Sequence, residues 1–291
     1  MTIARDLIEP GFFASAPVHI ALVVGGVTAA VSAVVGVFTV VRGQSFAGHA
    51  LADVGTTGGS AAFLVGTSPL AGFLLAGLAG AGALELFGIR RARGRDVATG
   101  IVLGAALGLA ALLLYFDSTH ESTTGAAMTV LFGSIFAVDP ASVPAYIAAS
   151  ICALALVGIT YRPLLLASVE PDLAAARGVR VRLIGVLYLI ATAIAVAMSC
   201  VTVGAILSTA LLIGPAATAL RLVRRPGSSM AIAAVLGVAA TWLGILLAYD
   251  SYYWPPSGRS WPVSFFVVAL VFLAYLASGL RRHRRGRPDV L

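Results

Sequence analysis

The sequence predicts an all-α, polytopic membrane protein with about eight or nine transmembrane helices, and three observations carry that expectation. Of its 291 residues, 59% are hydrophobic and only 11% are charged, more apolar surface than a water-soluble fold of this length can hide. The apolar residues gather into runs long enough to cross a bilayer. The arginines fall between those runs, mostly between alternate ones.

The runs justify the elements in order. The first covers residues 17–41, and a second, more polar one follows at 45–66. Runs at 70–88, 97–116 and 143–161 come next. The stretch 183–223 is too long for one crossing and must fold back near Val203 and Gly204. The last two runs are 229–249 and 263–280, which makes nine crossings, or eight if one is re-entrant. Residues 126–138 are too short to cross and are expected to form a partial helix. Small residues crowd the runs, as in LAGLAGAGAL at 75–84, and let helices approach closely where lipid offers no hydrophobic drive. Cys152 and Cys200 both lie in apolar runs and read as small core residues.

Charge then orients the array. All 19 basic residues are Arg. With nine crossings, Arg42, the cluster Arg90 to Arg95, the group Arg162 to Arg182, the trio Arg221 to Arg225 and the tail from Arg281 share one side. Only Arg5 and Arg259 lie opposite. The positive-inside rule makes the arginine-rich side the cytoplasm and places the N-terminus outside. The net charge of +7 therefore reflects topology and requires no nucleic-acid partner. On the outer side, Asp117, His120 and Glu121 of FDSTHEST either attract a cation at an outer mouth or are simply solvated. Glu85 reads as a structural partner for an arginine near the cytoplasmic surface.

One cytoplasmic segment, EPDLAAARG at 170–178, is not a span. Pro171 and Asp172 suit a first helical turn, Gly178 a terminator, and the acidic start and Arg177 end match the helix dipole. A short helix within about 168–178 is expected, either as a protrusion for a docking partner or as an amphipathic linker. Glu170, Pro171, Asp172, Leu173, Arg177 and Gly178 are its candidate contact residues.

The second run raises the sharper question. SFAGHALADVGTTGGSAAFLV at 45–65 places His49 and Asp53 four apart, on one helix face, followed by Gly55, Gly58 and Gly59. Asp53 stands eleven residues past Arg42, roughly 16 Å along a helix and so near mid-membrane. An ionised carboxylate there costs about 2.5 kcal/mol or more unless it faces a partner or a water-filled path. Imidazole and carboxylate are also good ligands for a first-row divalent ion. The two readings are an ion path and a mutual hydrogen bond that locks helix packing. Gly55, Gly58 and Gly59 are expected to weaken or break the helix, which suits a gate.

Several segments together resemble the permease subunits of ATP-driven zinc, manganese and iron importers. They are VVRGQSFAGHALADVGTTGGSAA after the first span, RGRDVATGIVLGAALGLAALL at 93–113, LFGSIFAVDP at 131–140, EPDLAAARGV at 170–179, VGAILSTALLIGPAATALRL at 203–222 and YDSYYWPPSGRSWPVS at 249–264. Their order covers most of the chain. The resemblance implies one permease domain over residues 1–291, the type II fold of the vitamin B12-type importers, and a homodimeric or pseudo-dimeric assembly. It implies an ATPase docked on the short cytoplasmic helix, an extracytoplasmic metal-binding protein, and a transported divalent metal with no tightly bound cofactor. His49 and Asp53 would line the translocation path. The family places the acidic residue first; here His49 comes first, so metal preference does not transfer with the pattern. No G-x-x-x-x-G-K-[ST] phosphate loop occurs in the 291 residues, so an ATPase is expected to be a separate subunit and the chain itself no enzyme. A stand-alone secondary transporter and a siderophore or cobalamin permease of related fold remain open, while no H-E-x-x-H motif supports an intramembrane enzyme.

Overall fold

The computed structural model describes residues 12–87, 92–120, 125–223, 225–254 and 260–284, with backbone alone for 86, 87, 92–99, 120 and 281–284. Within these residues the chain forms α1 (Ala16–Val41), α2 (Ser45–Val65), α3 (Pro69–Phe87), α4 (Ala92–His120), α5 (Ala126–Phe132) and α6 (Val143–Val169). It continues as α7 (Pro171–Ala176), α8 (Val181–Val203), α9 (Ala205–Leu222), α10 (Pro226–Asp250) and α11 (Val263–Arg284). No strand occurs among the described residues.

Seven of these, α1, α4, α6 and α8 to α11, are long and apolar enough to cross a membrane, and α3 is apolar over the shorter stretch Pro69–Glu85. The chain is a multi-pass membrane protein. The remaining expected crossing, α2, is long enough at 21 residues but too polar to face lipid. It does not have to, because α3, α4, α8 and α9 pack around it, so its polar groups meet protein instead of hydrocarbon.

Small residues set how closely the helices cross. A Cβ on Gly36 of α1 would overlap the Leu212 carbonyl of α9. The hydroxyls of Ser32 and Ser199 lie 2.7 Å apart between α1 and α8, the two most enclosed crossings. The fold-back falls at Gly204, whose φ of 98° no β-carbon residue adopts without strain. A side chain on Gly133 (φ 76°) would strike the backbone of Thr202 to Gly204, and one on Gly204 would strike the backbone of Leu131 and Phe132. Val203 and Leu211 share a cluster with Ala29, which lies thirteen residues into α1, about 20 Å from its start. The α8–α9 turn therefore sits inside the bundle. The partial helix α5 and the turns after it cover that turn, with the Ser134 N–H donating to the Val201 carbonyl at 3.2 Å.

Two helices run past their expected ends. α6 was expected to stop at residue 161 but continues through Arg162 and Pro163 to Val169, because Leu164 and Ala167 keep a buried stripe on the same face while Arg162 points to the surface. α4 continues beyond residue 116 through Asp117.

The described arginines gather at one end of the bundle. There Arg42 reaches Ser168 of α6 at 3.3 Å, Arg182 donates to Glu85 of α3 at 3.0 Å, and Arg221 bonds the Tyr275 hydroxyl of α11. The opposite end holds the Trp261 N–H bond to Ser251 at 2.9 Å and the edge-to-face pair of Phe12 and Tyr249. Glu85 thus has the arginine partner expected of it. Arg5, Arg224 and Arg259, and the side chains of Arg90 to Arg95 and of Arg281 to Arg287, lie outside the described residues.

Candidate functional site

The α1–α2 connection is three residues long, with Gly43 at φ 61° making the reversal. It sends α2 back into the bundle and sets His49 and Asp53 on one face. Nε2 of His49 lies 3.6 Å from Oδ2 of Asp53. The two differ sharply in environment. The Asp53 side chain is only 9% exposed and its buried Oδ2 has no hydrogen-bond partner, whereas the His49 side chain is 44% exposed. An acceptor oxygen left unsatisfied in a nearly dry setting is energetically expensive. A cation beside it would relieve that cost, and the neighbouring imidazole offers a second donor atom for the same ion.

The hydroxyls around the pair are otherwise engaged. Thr56 donates to the Ala52 carbonyl, Ser60 to the Thr56 carbonyl and Thr57 to the Ala106 carbonyl of α4, each at 2.8 Å. Among the described residues no group of three or more His, Cys, Asp or Glu side chains could hold a metal. One chain therefore brings together two side chains of ligand type at this place, His49 the more exposed of them.

α2 does not break at the glycines. It runs without interruption from Ser45 to Val65, and Gly66 (φ 70°) ends it, with the Thr67 N–H returning to the Ala62 carbonyl at 2.8 Å. The three glycines serve close packing instead. A Cβ on Gly58 would overlap the Gly72 carbonyl of α3, and one on Gly59 would strike the Phe73 ring, which also lies against Gly55. Helix propensity predicts weakening at such a run; tertiary packing against α3 overrides it.

Beyond Phe73, toward the end of the bundle opposite the arginines, lies a cavity of about 580 Å³. Phe63, Phe73, Tyr146 and Val201 line it, and Asp139 joins them where its carboxylate accepts from the Ala141 N–H at 2.9 Å. Phe73 and Tyr146 are buried side chains, and the Phe73 ring that lines the cavity also lies against Gly55 and Gly59 of α2. No pattern in the sequence marks the cavity, since its walls come from α2, α3, α5, α6, α8 and the turns between α5 and α6.

The outer acidic loop is different from its expectation. Asp117 is inside α4 and buried, because it shares a helix face with the buried Ala110 and with Leu114, which packs on the core, while Leu112, Tyr115 and Phe116 face outward. The side chain of His120, and Glu121 altogether, lie outside the described residues. The structure thus offers no exposed Asp117 to attract a cation.

The short segment after α6 forms as expected. Glu170 occupies the N-cap position of α7, Pro171 the first turn with Asp172, and Gly178 (φ 79°) closes it while the Val179 N–H bonds the Ala174 carbonyl at 3.0 Å. Ala174 alone in the helix is buried; Glu170, Pro171, Asp172, Leu173, Arg177 and Gly178 are exposed. Among the described residues α7 packs chiefly on α6 and α8, at the arginine-rich end of the bundle, and presents the Leu173 side chain outward.

Comparison with known proteins gives concordant matches. The model of a family described as the ABC 3 transport family matches residues 16–278. The manganese transport system membrane protein MntC of Listeria innocua is 28% identical over 249 residues, covering 86% of each chain. The high-affinity zinc uptake system membrane protein ZnuB of Haemophilus influenzae is 27% identical over 233 residues, or 79% of this chain and 88% of that one. Among solved structures, PsaBC from Streptococcus pneumoniae in complex with Fab superposes with a TM-score of 0.80 at 26% identity, covering 95% of both chains.

Proposed function

The chain belongs to the ABC 3 transport family, and we propose that it is the membrane-spanning permease subunit of an ATP-driven importer carrying a divalent transition metal ion across a bacterial cytoplasmic membrane. The observation that carries this reading is the buried, unpartnered Asp53 carboxylate beside His49 inside a crossing helix. A lone helix-packing contact would leave neither a dry oxygen without a partner nor a half-exposed imidazole next to it. An ion path uses both.

Two ligand groups are too few to hold a first-row ion. A second copy of the chain related by a two-fold axis, with each His49 facing that axis, would supply two nitrogens and two carboxylates. That is a set suited to Zn2+ and acceptable to Mn2+. The relatives named for manganese and for zinc support these two cargoes, and the inverted His49–Asp53 order leaves Fe2+ as the third ion to test. The permease domain takes in the whole chain, with α7 as the coupling helix on which a cytoplasmic ATPase docks. The absence of a phosphate-loop motif from the sequence assigns ATP hydrolysis to that separate subunit. The positive-inside rule puts α7 in the cytoplasm and the 580 Å³ cavity on the outer side, where an extracytoplasmic metal-binding protein would deliver the ion.

Reconstitution into vesicles with the cognate ATPase and binding protein tests this. Accumulation of Mn2+ or Zn2+ that requires ATP and all three components is expected. Uptake that persists without the ATPase would make the chain a secondary transporter, and transport of a siderophore or cobalamin without any free metal would place it among the organic-cargo permeases.

A further inference from the structure

Arg42 does more than orient the first hairpin. An arginine serving only topology extends its head toward water; this one turns back onto a buried ring. Its guanidinium carbon lies 5.0 Å from the centre of the Tyr188 ring on α8, a cation–π distance. Nη1 donates to Oγ of Ser168 at 3.3 Å, and Nε donates to Oε1 of Gln44 at 3.4 Å. Tyr188 in turn donates its hydroxyl to Oγ1 of Thr39 at 2.9 Å, one turn before Arg42 on α1.

The positions of these partners matter. Ser168 stands two residues before Glu170, which caps α7, so it marks the last turn of the helix entering the coupling segment. Tyr188 lies on the helix that leaves that segment. Gln44 occupies the N-cap position of α2, five residues before His49, about 8 Å along the axis. One side chain therefore touches both helices that flank α7 and the N-cap residue of the helix that carries His49 and Asp53. A β-carbon placed on Gly185 of α8 would meet the guanidinium at 4.0 Å, an ordinary contact distance, so α8 passes beside the arginine one turn before Tyr188 as well.

We propose that Arg42 is the positioning residue that transmits displacement of the α6–α7–α8 segment to the start of α2, coupling ATPase movement to the metal-bearing helix. The proposal rests on the reading of α7 as the ATPase dock. A planar guanidinium that stacks on Tyr188 and bonds Ser168 and Gln44 together joins three elements in fixed geometry, which a flexible ammonium cannot reproduce. Shifts of packed helices of this kind are passed on through contacts with discrete arrangements.

The test is the number of metal ions moved per ATP hydrolysed by the complete reconstituted importer. Arg42→Lys keeps the positive charge and the topology, and it is expected to insert, dimerise and bind the ATPase. ATP hydrolysis should continue while metal moved per ATP falls roughly 2- to 30-fold. Ser168→Ala, a small change at the other end of the contact, should lower the same ratio, and the double variant should fall no further than Arg42→Lys alone. An unchanged ratio in Arg42→Lys overturns the proposal. If Arg42→Lys fails to assemble, Ser168→Ala decides alone, and an unchanged ratio there overturns it equally. A wild-type complex that binds no ATPase or moves no metal would instead refute the permease reading itself, which separates the two failures.

Discussion

Replacing Asp53 by Asn separates an ion ligand from helix glue, because the two roles predict opposite signs for stability and transport. The side chain is 9% exposed, its Oδ2 lacks a hydrogen-bond partner, and the His49 nitrogen stands 3.6 Å away. Holding an acidic group near a helix centre in the membrane costs about 2.5–3.5 kcal/mol. The half-exposed His49 returns part of that, since its attraction is screened on the open side. A net relief of about 1–2 kcal/mol on neutralisation follows, and at about 2–4 °C per kcal/mol the melting temperature of Asp53→Asn should rise by roughly 2–8 °C. Asn keeps the shape and hydrogen-bonding capacity but is no anionic ligand. Uptake of Mn2+ and Zn2+ in vesicles should therefore fall by at least about tenfold while dimerisation and ATPase co-purification persist. Near wild-type transport of Mn2+, Zn2+ and Fe2+ by Asp53→Asn, with a lowered melting temperature, would refute the reasoning and establish the pair as packing glue.

Three further outcomes are expected. Leu173→Asp places a charge where α7 presents an exposed apolar side chain; it should leave the chain in the membrane but strip the ATPase from it, and retained co-purification rules the dock out. Gly58→Val drives a side chain into the Gly72 backbone of α3; an overpacking cost of about 1–3 kcal/mol should lower the melting temperature by about 2–12 °C, and no change would refute the close α2–α3 crossing. A cysteine at exposed Ser260 should react with an impermeant thiol reagent added outside, and one at exposed Arg180 should not; the reverse pattern would overturn the arginine-based orientation.

The crossings were legible because lipid leaves little choice: an apolar run must be a helix, and its length says whether it spans. The same logic exposed the turn at Gly204, from a run too long for one span, and the partial helix α5, from one too short. What stayed hidden was decided by distant partners. Gly55, Gly58 and Gly59 read as a helix-weakening gate because helix propensity is all the sequence shows; Gly72 and Phe73 of α3, which lie against them, leave no trace in that pattern. Asp117 looked like a loop residue because nothing in FDSTHEST says that α4 continues through it. Arg42 was visible as a charge but not as a contact, since Ser168 and Tyr188 belong to helices far along the chain. The His49–Asp53 spacing, by contrast, needed no partner to be read, because four residues apart on any helix is one face.

The incompleteness of the site within one chain has a functional consequence. A transported ion must be bound well enough to leave its water and loosely enough to be released, so a closed four-ligand cage in a single rigid bundle would trap it. Here one protomer offers a buried carboxylate and a half-exposed imidazole and no third ligand among the described residues. In the proposed dimer a second α2 would complete the set, so ligand number would depend on how two helices are placed relative to each other. On the proposed reading, an ATPase docked on α7 would alter that placement, while the tight Gly58–Gly72 crossing would hold α2 and α3 together as they move. Rigid helices with divided ligands convert a small relative displacement into a change from four ligands to two, and the affinity for the ion falls with it.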